Sequence, residues 1–225
     1  MTRVGRHVGL AGCAWHRRAV CVATLATLSQ NAKDTWPLAG CAWHGGEVPR
    51  PPRYPGPGVF HVTVNGTGPG PLFRDRLDPF VWHAYLASTL IRTGWTCISF
   101  CLMTTHLHLL IEVHDASLSR GMFLLNSRFA HASNLRHGRR GPLQLRRFNA
   151  THITTDAHLL VCFRYVARNP VEAGATDSPL NWMWSSYAGT VGMEEPDWVD
   201  ASRVIGMFGA GPEAIARLRR FVERP

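Results

Sequence analysis

The sequence predicts an α+β fold in which helices pack on a mainly antiparallel sheet. Short segments in which β-branched or aromatic residues alternate with polar ones are separated by longer segments with the apolar spacing of helices. Their order is strand, helix, hairpin, helix, strand, helix, and a hairpin makes its two strands antiparallel neighbours. Of the 225 residues 45% are hydrophobic, which is enough to bury a core and excludes a disordered chain.

The first strand and helix follow a proline-rich arm, so the folded domain is predicted to begin near Gly58. Residues 59–64 are rich in β-branched and aromatic side chains and end at an Asn-Gly pair, which predicts a strand closed by a turn. Asp78 and Pro79 are typical of a helix start, and the apolar spacing after them predicts a helix that runs to Gly94.

A hairpin and a second helix come next. Residues 95–103 and 106–113 predict two strands joined by a two-residue turn. Ser117 or Ser119 can cap a helix that runs to about His137, because a serine oxygen accepts from the free N–H groups of the first turn.

The last strand and helix of the predicted sheet domain lie near residue 160. Residues 148–153 indicate a short strand. Thr155 is a good cap for a helix over residues 156–169. Pro170 is expected to stop that helix, because proline lacks an N–H donor and restricts the residue before it.

The remaining C-terminal residues are less regular. Trp182, Trp184 and Tyr187 are expected to pack as a small separate cluster. A Gly-Pro-Glu sequence that starts at Gly211 predicts a final helix to about Glu223, because proline suits the first helical turn.

The chain is predicted to have three parts: an extension at 1–48, a domain at 49–190 and a helical tail at 191–225. The extension has no sustained periodicity, and the heptapeptide Leu-Ala-Gly-Cys-Ala-Trp-His occurs in it twice. We interpret it as a poorly structured segment with a local duplication. The alternative is a metal site built from the two copies, with the ligands Cys13, His16, Cys41 and His44.

The charge of the chain predicts a polyanionic partner. The net charge is +9 and the pI is near 10.0, and Lys33 is the single lysine among 24 basic residues. One guanidinium group can donate two hydrogen bonds to the oxygens of a phosphate, which favours nucleic acid as the partner. The alternative explanation of the arginine excess is the bias of a GC-rich genome.

Cysteine usage and hydropathy predict a cytoplasmic protein. The six cysteines include no Cys-x-x-Cys pair, and the chain is too long for a small disulfide-dependent domain, so we expect reduced thiols. No stretch reaches the roughly 20 apolar residues that a membrane helix needs. We therefore expect no contact with membranes.

His106 and His108 lie two positions apart in the second strand of the predicted hairpin. Alternate side chains of a strand share a face, so both imidazoles point the same way while the leucines that alternate with them face the core. This spacing suits a two-imidazole metal clamp. The alternative is a pair of ordinary strand histidines, which is the commoner fate of such a pair.

Tyr165 and Asn169 lie four positions apart on the last helix of the predicted domain, so they are neighbours on its surface. Asn169 can therefore present an amide oxygen beside the phenol, which brings a nucleophile and a third ligand together. The alternative for Tyr165 is a half-buried aromatic residue. The other tyrosines, which have glycine, threonine and valine at that spacing, are Tyr54, Tyr85 and Tyr187.

Five segments of the chain resemble those of a known family, in the same order and with the same spacing. From about residue 49 to residue 187 the chain resembles the single-tyrosine HUH transposases, in the branch called REP-associated tyrosine transposases. The matching segments are Pro-Gly-Val-Phe-His-Val-Thr at 57–63, Cys-Leu-Met-Thr-Thr-His-Leu-His-Leu-Leu at 101–110, Leu-Ser-Arg-Gly-Met at 118–122, Arg-Tyr-Val-Ala-Arg-Asn-Pro-Val-Glu-Ala-Gly at 164–174 and Trp-Ser-Ser-Tyr at 184–187.

The resemblance implies a ferredoxin-like domain of the HUH endonuclease type, which cleaves and rejoins single-stranded DNA with hairpin or palindromic ends. It places His106 and His108 on the family's metal pair, Asn169 on its third ligand and Tyr165 on the nucleophile that forms a 5′-phosphotyrosine. It also implies a divalent cofactor, Mg²⁺ or Mn²⁺, and a bacterial protein of DNA transposition and recombination that is associated with the nucleoid. Phosphate chemistry favours these two ions more than the ligands do.

Arginines crowd the loop before the last strand and resemble a basic segment of the family. We expect contacts to DNA phosphates there, and the alternative is a solvated charged loop. The five residues are Arg136, Arg139, Arg140, Arg146 and Arg147.

Two positions depart from the family pattern. Thr105 stands where asparagine commonly precedes the first histidine, and Asn65 stands where arginine precedes the glycine after the first strand. Neither is a metal ligand, but both bear on substrate positioning. The alternative function is therefore a catalytically decayed or domesticated protein that still binds single-stranded or hairpin DNA. An unrelated metal hydrolase is disfavoured because carboxylates do not cluster, and both monomer and dimer stay open.

Overall fold

The computed structural model describes residues 56–67, 70–144, 147–192 and 196–224. The interpretation of residues 1–48, including its alternative Cys/His site, lies outside these ranges. In chain order the elements are β1 (Gly58–Asn65), α1 (Leu77–Thr93), β2 (Thr96–Leu102), β3 (His106–Val113), α2 (Leu118–Arg136), β4 (Asn149–Ile153), α3 (Asp156–Glu172), α4 (Tyr187–Thr190), α5 (Ser202–Gly206) and α6 (Gly211–Glu223).

The four strands form one antiparallel sheet in the order β2-β3-β1-β4. This confirms the predicted α+β class and the antiparallel sheet. β1 and β3 pair along their whole lengths, from Gly58 opposite Val113 to Asn65 opposite His106. The first strand of the domain therefore lies inside the sheet, and its last residues adjoin the start of the histidine-bearing strand.

Helices cover both faces of the sheet. On one face, Leu109 and Ile111 of β3 pack with Trp82 of α1 and Phe129 of α2 in the larger core. On the other face, Leu110 packs in a second core with residues of α3 and α6. The alternation predicted for β3 is confirmed, and its histidine face is covered by helices as well.

The start of α3 is predicted correctly and its end is not. The Thr155 hydroxyl accepts a hydrogen bond from the His158 backbone N–H at 3.2 Å, as expected of a cap. The helix continues past Pro170 to Glu172, so the expectation that this proline stops it is wrong. The proline ring removes one donor, but the residue is buried and packing holds the final turn. The chain leaves the helix at Gly174, whose φ of +67° is easily adopted only by glycine.

The expected cluster of Trp182, Trp184 and Tyr187 is wrong. This segment runs antiparallel to the edge strand β2, with the Leu102 N–H donating to the Trp184 carbonyl at 2.8 Å. Because the segment is held at the edge of the sheet, its side chains reach different cores. Trp184 packs with the α1–α2 core, Tyr187 with the α3–α6 core, and Trp182 with a small group that includes Met103. The segment thereby covers the edge of β2.

The described part of the chain contains no helix that is long and apolar enough to cross a membrane. Cys97, Cys101 and Cys162 are free and buried. Burial raises the pKa of the Cys101 thiol to about 12, because a thiolate would lose its hydration there. This cysteine is therefore an unreactive core residue.

Candidate active site

The register of β1 against β3 assembles a polar surface on the α3 side of the sheet. Thr63 lies opposite His108, and Asn65 lies opposite His106, so these four side chains share one face. His61 precedes Thr63 by two residues and therefore lies on that face too. Polar residues from two strands are thus gathered under a helix.

His108 is almost completely buried, with 3% of its surface exposed. Its Nδ1 lies 3.0 Å from Nε2 of His61 and 3.4 Å from Oγ1 of Thr63. Its Nε2 is buried and has no hydrogen-bond partner among the described residues. A buried nitrogen without a partner is costly unless a ligand completes it. When the Nδ1–H donates to His61, Nε2 carries the lone pair that a metal needs.

The surroundings keep these imidazoles neutral. Burial, together with the nearby rings of His61 and His106, lowers the pKa of His108 to about 3. Burial and the charge of His158 lower the pKa of His61 below its ordinary value. A neutral imidazole is the form that coordinates a metal, so protons do not compete with a cation for His108 near neutral pH.

His106 and Asn169 meet between β3 and α3. Nε2 of His106 lies 3.2 Å from Oδ1 of Asn169, and only 8% of the asparagine surface is exposed. Nδ1 of His106 lies 3.1 Å from Oγ1 of Thr105. When the Nδ1–H donates to that hydroxyl, Nε2 is free to act as a ligand. Thr105 therefore supplies the acceptor for this nitrogen.

Tyr165 stands at the rim of this group. Its ring packs edge-on against His108, with centroids 5.2 Å apart and planes at 82°, and against His61 at 5.8 Å. The residue is 48% exposed, so a substrate can reach its phenol from solvent. Of the other described tyrosines, Tyr85 belongs to α1 across the sheet and Tyr187 is fully buried. Tyr165 alone among these three adjoins the histidines.

The residues at this site fit a divalent cation. The rings of His106 and His108 lie 5.0 Å apart between centroids, and one nitrogen of His108 lacks a partner. The His106 nitrogen and the Asn169 oxygen are 3.2 Å apart. Two adjacent ligands of an octahedral ion, each about 2.1 Å from it, would lie about 3.0 Å from each other. The structure thus brings all four predicted residues together in one place.

A second group of possible ligands consists of Asp75, Asp78 and His137. Arg136 donates to Asp75 at 2.7 Å and also to Asp78, and the Arg74 backbone N–H donates to Asp78 at 2.7 Å. A single guanidinium therefore already pairs with both carboxylates, and Nε2 of His137 lies 3.0 Å from Asp78. We interpret this group as an ion-pair cluster that ties the start of α1 to the end of α2.

The arginine-rich loop lies beside the histidine-bearing end of the sheet. The Thr67 N–H donates to the Leu143 carbonyl at 3.0 Å, and the Gly66 N–H donates to the Thr105 carbonyl at 2.9 Å. Arg136 is already engaged in the ion-pair cluster, which leaves it poorly placed to bind phosphate. The arginines of the loop that are exposed or partly exposed are Arg139, Arg140 and Arg147, and Arg146 lies outside the described residues.

His61 is a site residue that the sequence patterns did not single out. Phe60 and Val62 face the α1–α2 core, so the alternation of β1 already indicated that His61 faces the opposite side. The contact with His108 depends on how β1 pairs with β3, which local spacing does not give.

Comparison with protein-family models and with curated proteins gives no match. Among solved structures, the chain is similar to one described as "Structure of the REP associates tyrosine transposase bound to a REP hairpin". The TM-score is 0.56 and the sequence identity is 18%, over 70% of this chain and 93% of that chain. The fold predicted from the five sequence segments is thereby confirmed, and the described part of the chain has the α+β fold of that tyrosine transposase.

Proposed function

We propose that the protein is a transposase that cleaves and rejoins single-stranded DNA beside hairpins through a covalent 5′-phosphotyrosine. The observation that carries the proposal is the meeting of Tyr165, His106, His108 and Asn169 between β3 and α3. Further support comes from the similar structure, which is that of a tyrosine transposase bound to a hairpin. The activity would reside in residues 49–190, in the cytoplasm at the nucleoid.

His106, His108 and Asn169 would hold the divalent ion, Mg²⁺ or Mn²⁺. Because all three ligands are neutral, a bound ion would keep its full charge and would supply Lewis-acid stabilisation to a scissile phosphate. The histidines are held for this role by acceptors on their other nitrogens, His61 for His108 and Thr105 for His106.

Tyr165 would supply the nucleophile. Its phenol oxygen attacks the phosphorus and forms a new P–O bond, while the bond from phosphorus to the 3′ oxygen breaks. The phenol gives up its proton, and the leaving 3′ oxygen takes one up. The phosphotyrosine conserves the energy of the broken bond, so a 3′-hydroxyl can reverse the step without ATP. Arg139, Arg140 and Arg147 would contact phosphates of the flanking DNA.

A covalent adduct is the test of this proposal. The full chain is incubated with labelled single-stranded DNA that carries a hairpin and a single-stranded flank, taken from beside its own gene, and adducts are separated on a denaturing gel. Tyr165→Phe should abolish the adduct and retain DNA binding, whereas Tyr85→Phe on the other side of the sheet should form it normally. Excess chelator should slow the reaction by on the order of a thousandfold, because about 4 kcal/mol of charge stabilisation is lost.

The outcomes separate the two candidate functions. An adduct that persists in Tyr165→Phe contradicts the assignment of the nucleophile, and undiminished cleavage in chelator contradicts the role of the metal. Hairpin binding by the wild-type chain without any adduct would favour the alternative, a decayed or domesticated DNA-binding protein. The alternative is tested because Asn65 and Thr105 depart from the pattern of the resembled family.

A further inference from the structure

A groove between α3 and α6 opens beside Tyr165, and none of its lining residues belongs to the basic loop that the sequence predicted. Its volume is about 580 Å³. Tyr165 and Arg168 belong to its α3 wall, and Arg220 and Phe221 of α6 form the facing wall together with Arg224, which follows the end of that helix. The groove therefore places the candidate nucleophile and several arginines around one opening.

Arginines of α3 hold the two walls together. Nε of Arg164 donates to the Phe221 carbonyl at 3.0 Å, and Nη2 donates to the Arg224 carbonyl at 2.7 Å. Nη1 of Arg168 donates to the Val222 carbonyl at 3.2 Å. These carbonyls lie at the C-terminal end of α6, where the helix leaves its acceptors without intrahelical donors. The groove is thus fixed by hydrogen bonds and does not depend on a ligand for its shape.

The groove carries uncompensated positive charge. Arg220 and Arg224 are exposed, and no acidic side chain among the described residues is paired with either of them. The one acidic residue of the lining, Glu172, accepts from Arg168 at 3.1 Å and so is neutralised locally. Two guanidiniums, one in the last turn of α6 and one directly after its end, are therefore available to an anion.

The lining of the groove also includes apolar and aromatic side chains. Val161 and Tyr165 are four positions apart on α3 and are both exposed, and Phe221 lines the facing wall. Single-stranded nucleic acid is bound by such a combination, in which cations contact the backbone and aromatic or apolar groups receive the bases. A duplex keeps its bases stacked inside, so it has less to gain from these side chains.

We propose that the α3–α6 groove binds the single-stranded DNA that flanks the scissile phosphate, with Arg220 and Arg224 on its backbone. The location of the scissile phosphate at Tyr165 rests on the proposed function. The groove would hold the strand that runs away from the tyrosine, separately from the basic loop between α2 and β4. The single-stranded flank of the substrate would thus have a binding surface of its own.

The test measures DNA binding in chelator, so that no cleavage takes place. Fluorescence anisotropy gives the Kd of the full chain for a hairpin with a ten-nucleotide single-stranded flank, for the same hairpin without a flank, and for blunt duplex. The double variant Arg220→Ala/Arg224→Ala should weaken binding of the flanked hairpin about tenfold and leave the unflanked hairpin unchanged. For the flanked hairpin, the slope of log K against log salt concentration should become shallower by about 1.4, because each phosphate contact on a single strand contributes about 0.7.

Two matched variants control for net charge and for folding. Arg92→Ala/Arg120→Ala removes the same charge from exposed positions of α1 and α2, across the sheet, and should leave the preference for the flank intact. Arg220→Lys/Arg224→Lys keeps the charge and should retain most of the salt slope. Thermal melting shows whether each variant is folded.

The results distinguish this inference from the proposed function. Three results would each overturn the groove assignment. The alanine double variant could weaken binding of flanked and unflanked hairpins equally, or it could bind the flanked hairpin as tightly as wild type. The wild-type chain could also bind blunt duplex as tightly as the flanked hairpin. If the wild-type chain forms the covalent adduct while the double variant binds the flank normally, the groove fails and the transposase proposal stands. If the double variant binds the flanked hairpin no better than the unflanked one but the wild-type chain forms no adduct, the groove assignment stands and the transposase proposal fails.

Discussion

At the scale of the residue, the candidate metal site contains three imidazoles. His61 contacts the buried His108 through Nε2 and Nδ1 at 3.0 Å, and so can fix the tautomer that leaves the other nitrogen of His108 free. Acceptors of this kind orient metal-binding histidines and raise their affinity. We interpret His61 as a positioning residue that acts through His108.

Replacement of His61 should weaken metal binding even when no DNA is present. His61→Phe keeps a ring of similar size but removes the acceptor, so we expect the Kd for Mn²⁺ to rise about ten- to a hundredfold. His61→Gln offers an amide acceptor and should restore part of the affinity. Isothermal titration calorimetry measures both, with His131→Phe, at an exposed histidine of α2, as the control. An unchanged Kd in His61→Phe would refute the positioning role.

Local spacing predicted His106, His108, Tyr165 and Asn169 because each pair lies within one strand or one helix. Two-residue alternation and four-residue helical spacing hold wherever the element forms. His61 could not be predicted in the same way, since its contact depends on the pairing of two strands that are distant in sequence. The α3–α6 groove was missed for the same reason.

At the scale of the element, α2 packs close to the start of β2 through a glycine. The Trp95 indole N–H donates to Oγ of Ser117 at 2.8 Å, so this serine stands at the predicted cap position but its side chain makes no capping hydrogen bond. A Cβ on Gly121 would lie 2.2 Å from the Trp95 ring. The helix can approach the tryptophan this closely only because residue 121 has no side chain.

Gly121→Ala should therefore destabilise the fold although alanine favours helices. We expect a loss of about 1–3 kcal/mol in the free energy of unfolding, because the added methyl forces a buried ring to move. Gly206→Ala is the matched control, since a Cβ there meets nothing within 4 Å. Urea unfolding measures both variants. Equal stability of Gly121→Ala and wild type would show that Trp95 can shift at little cost.

The end of α3 shows how packing overrides a local rule. Pro170 predicted a helix end from its own chemistry, and that chemistry still removes one backbone donor. Pro170 is buried, and the helix continues past it to Glu172 before the chain turns away at Gly174. The sequence rule for a helix start holds at Thr155, whose hydroxyl makes the predicted capping hydrogen bond.

At the scale of the whole molecule, buried histidines couple stability to pH. Burial lowers the pKa of His83 to about 3, and burial with neighbouring imidazoles lowers that of His108 to about 3. In the unfolded chain a histidine pKa is about 6.5. Between these values the unfolded state binds protons that the folded state does not, so stability is fully present above about pH 6.5 and is lost as the pH falls toward 3.

Acidification from pH 7 to pH 5 should lower the free energy of unfolding by about 2 kcal/mol for each of these histidines. His83→Phe removes one titrating group. Between pH 7 and pH 5 its free energy of unfolding should therefore fall by about 2 kcal/mol less than that of wild type. Urea unfolding in chelator measures it, with His131→Phe as the control. If the free energy of unfolding of His83→Phe fell with pH as steeply as that of wild type, His83 would not resist protonation in the fold.

The central position of β1 in the sheet has a consequence for the order of events during synthesis. This strand is the first of the sheet to leave the ribosome, yet Val62 pairs with Leu109 on one side and with Ala150 on the other. At roughly 5–20 residues per second, several seconds pass before the second partner exists. During that time the nascent chain exposes a hydrophobic strand with two open edges, which is a template for aggregation. A holding chaperone should therefore raise the yield of folded protein most when it acts before residue 153 has been made.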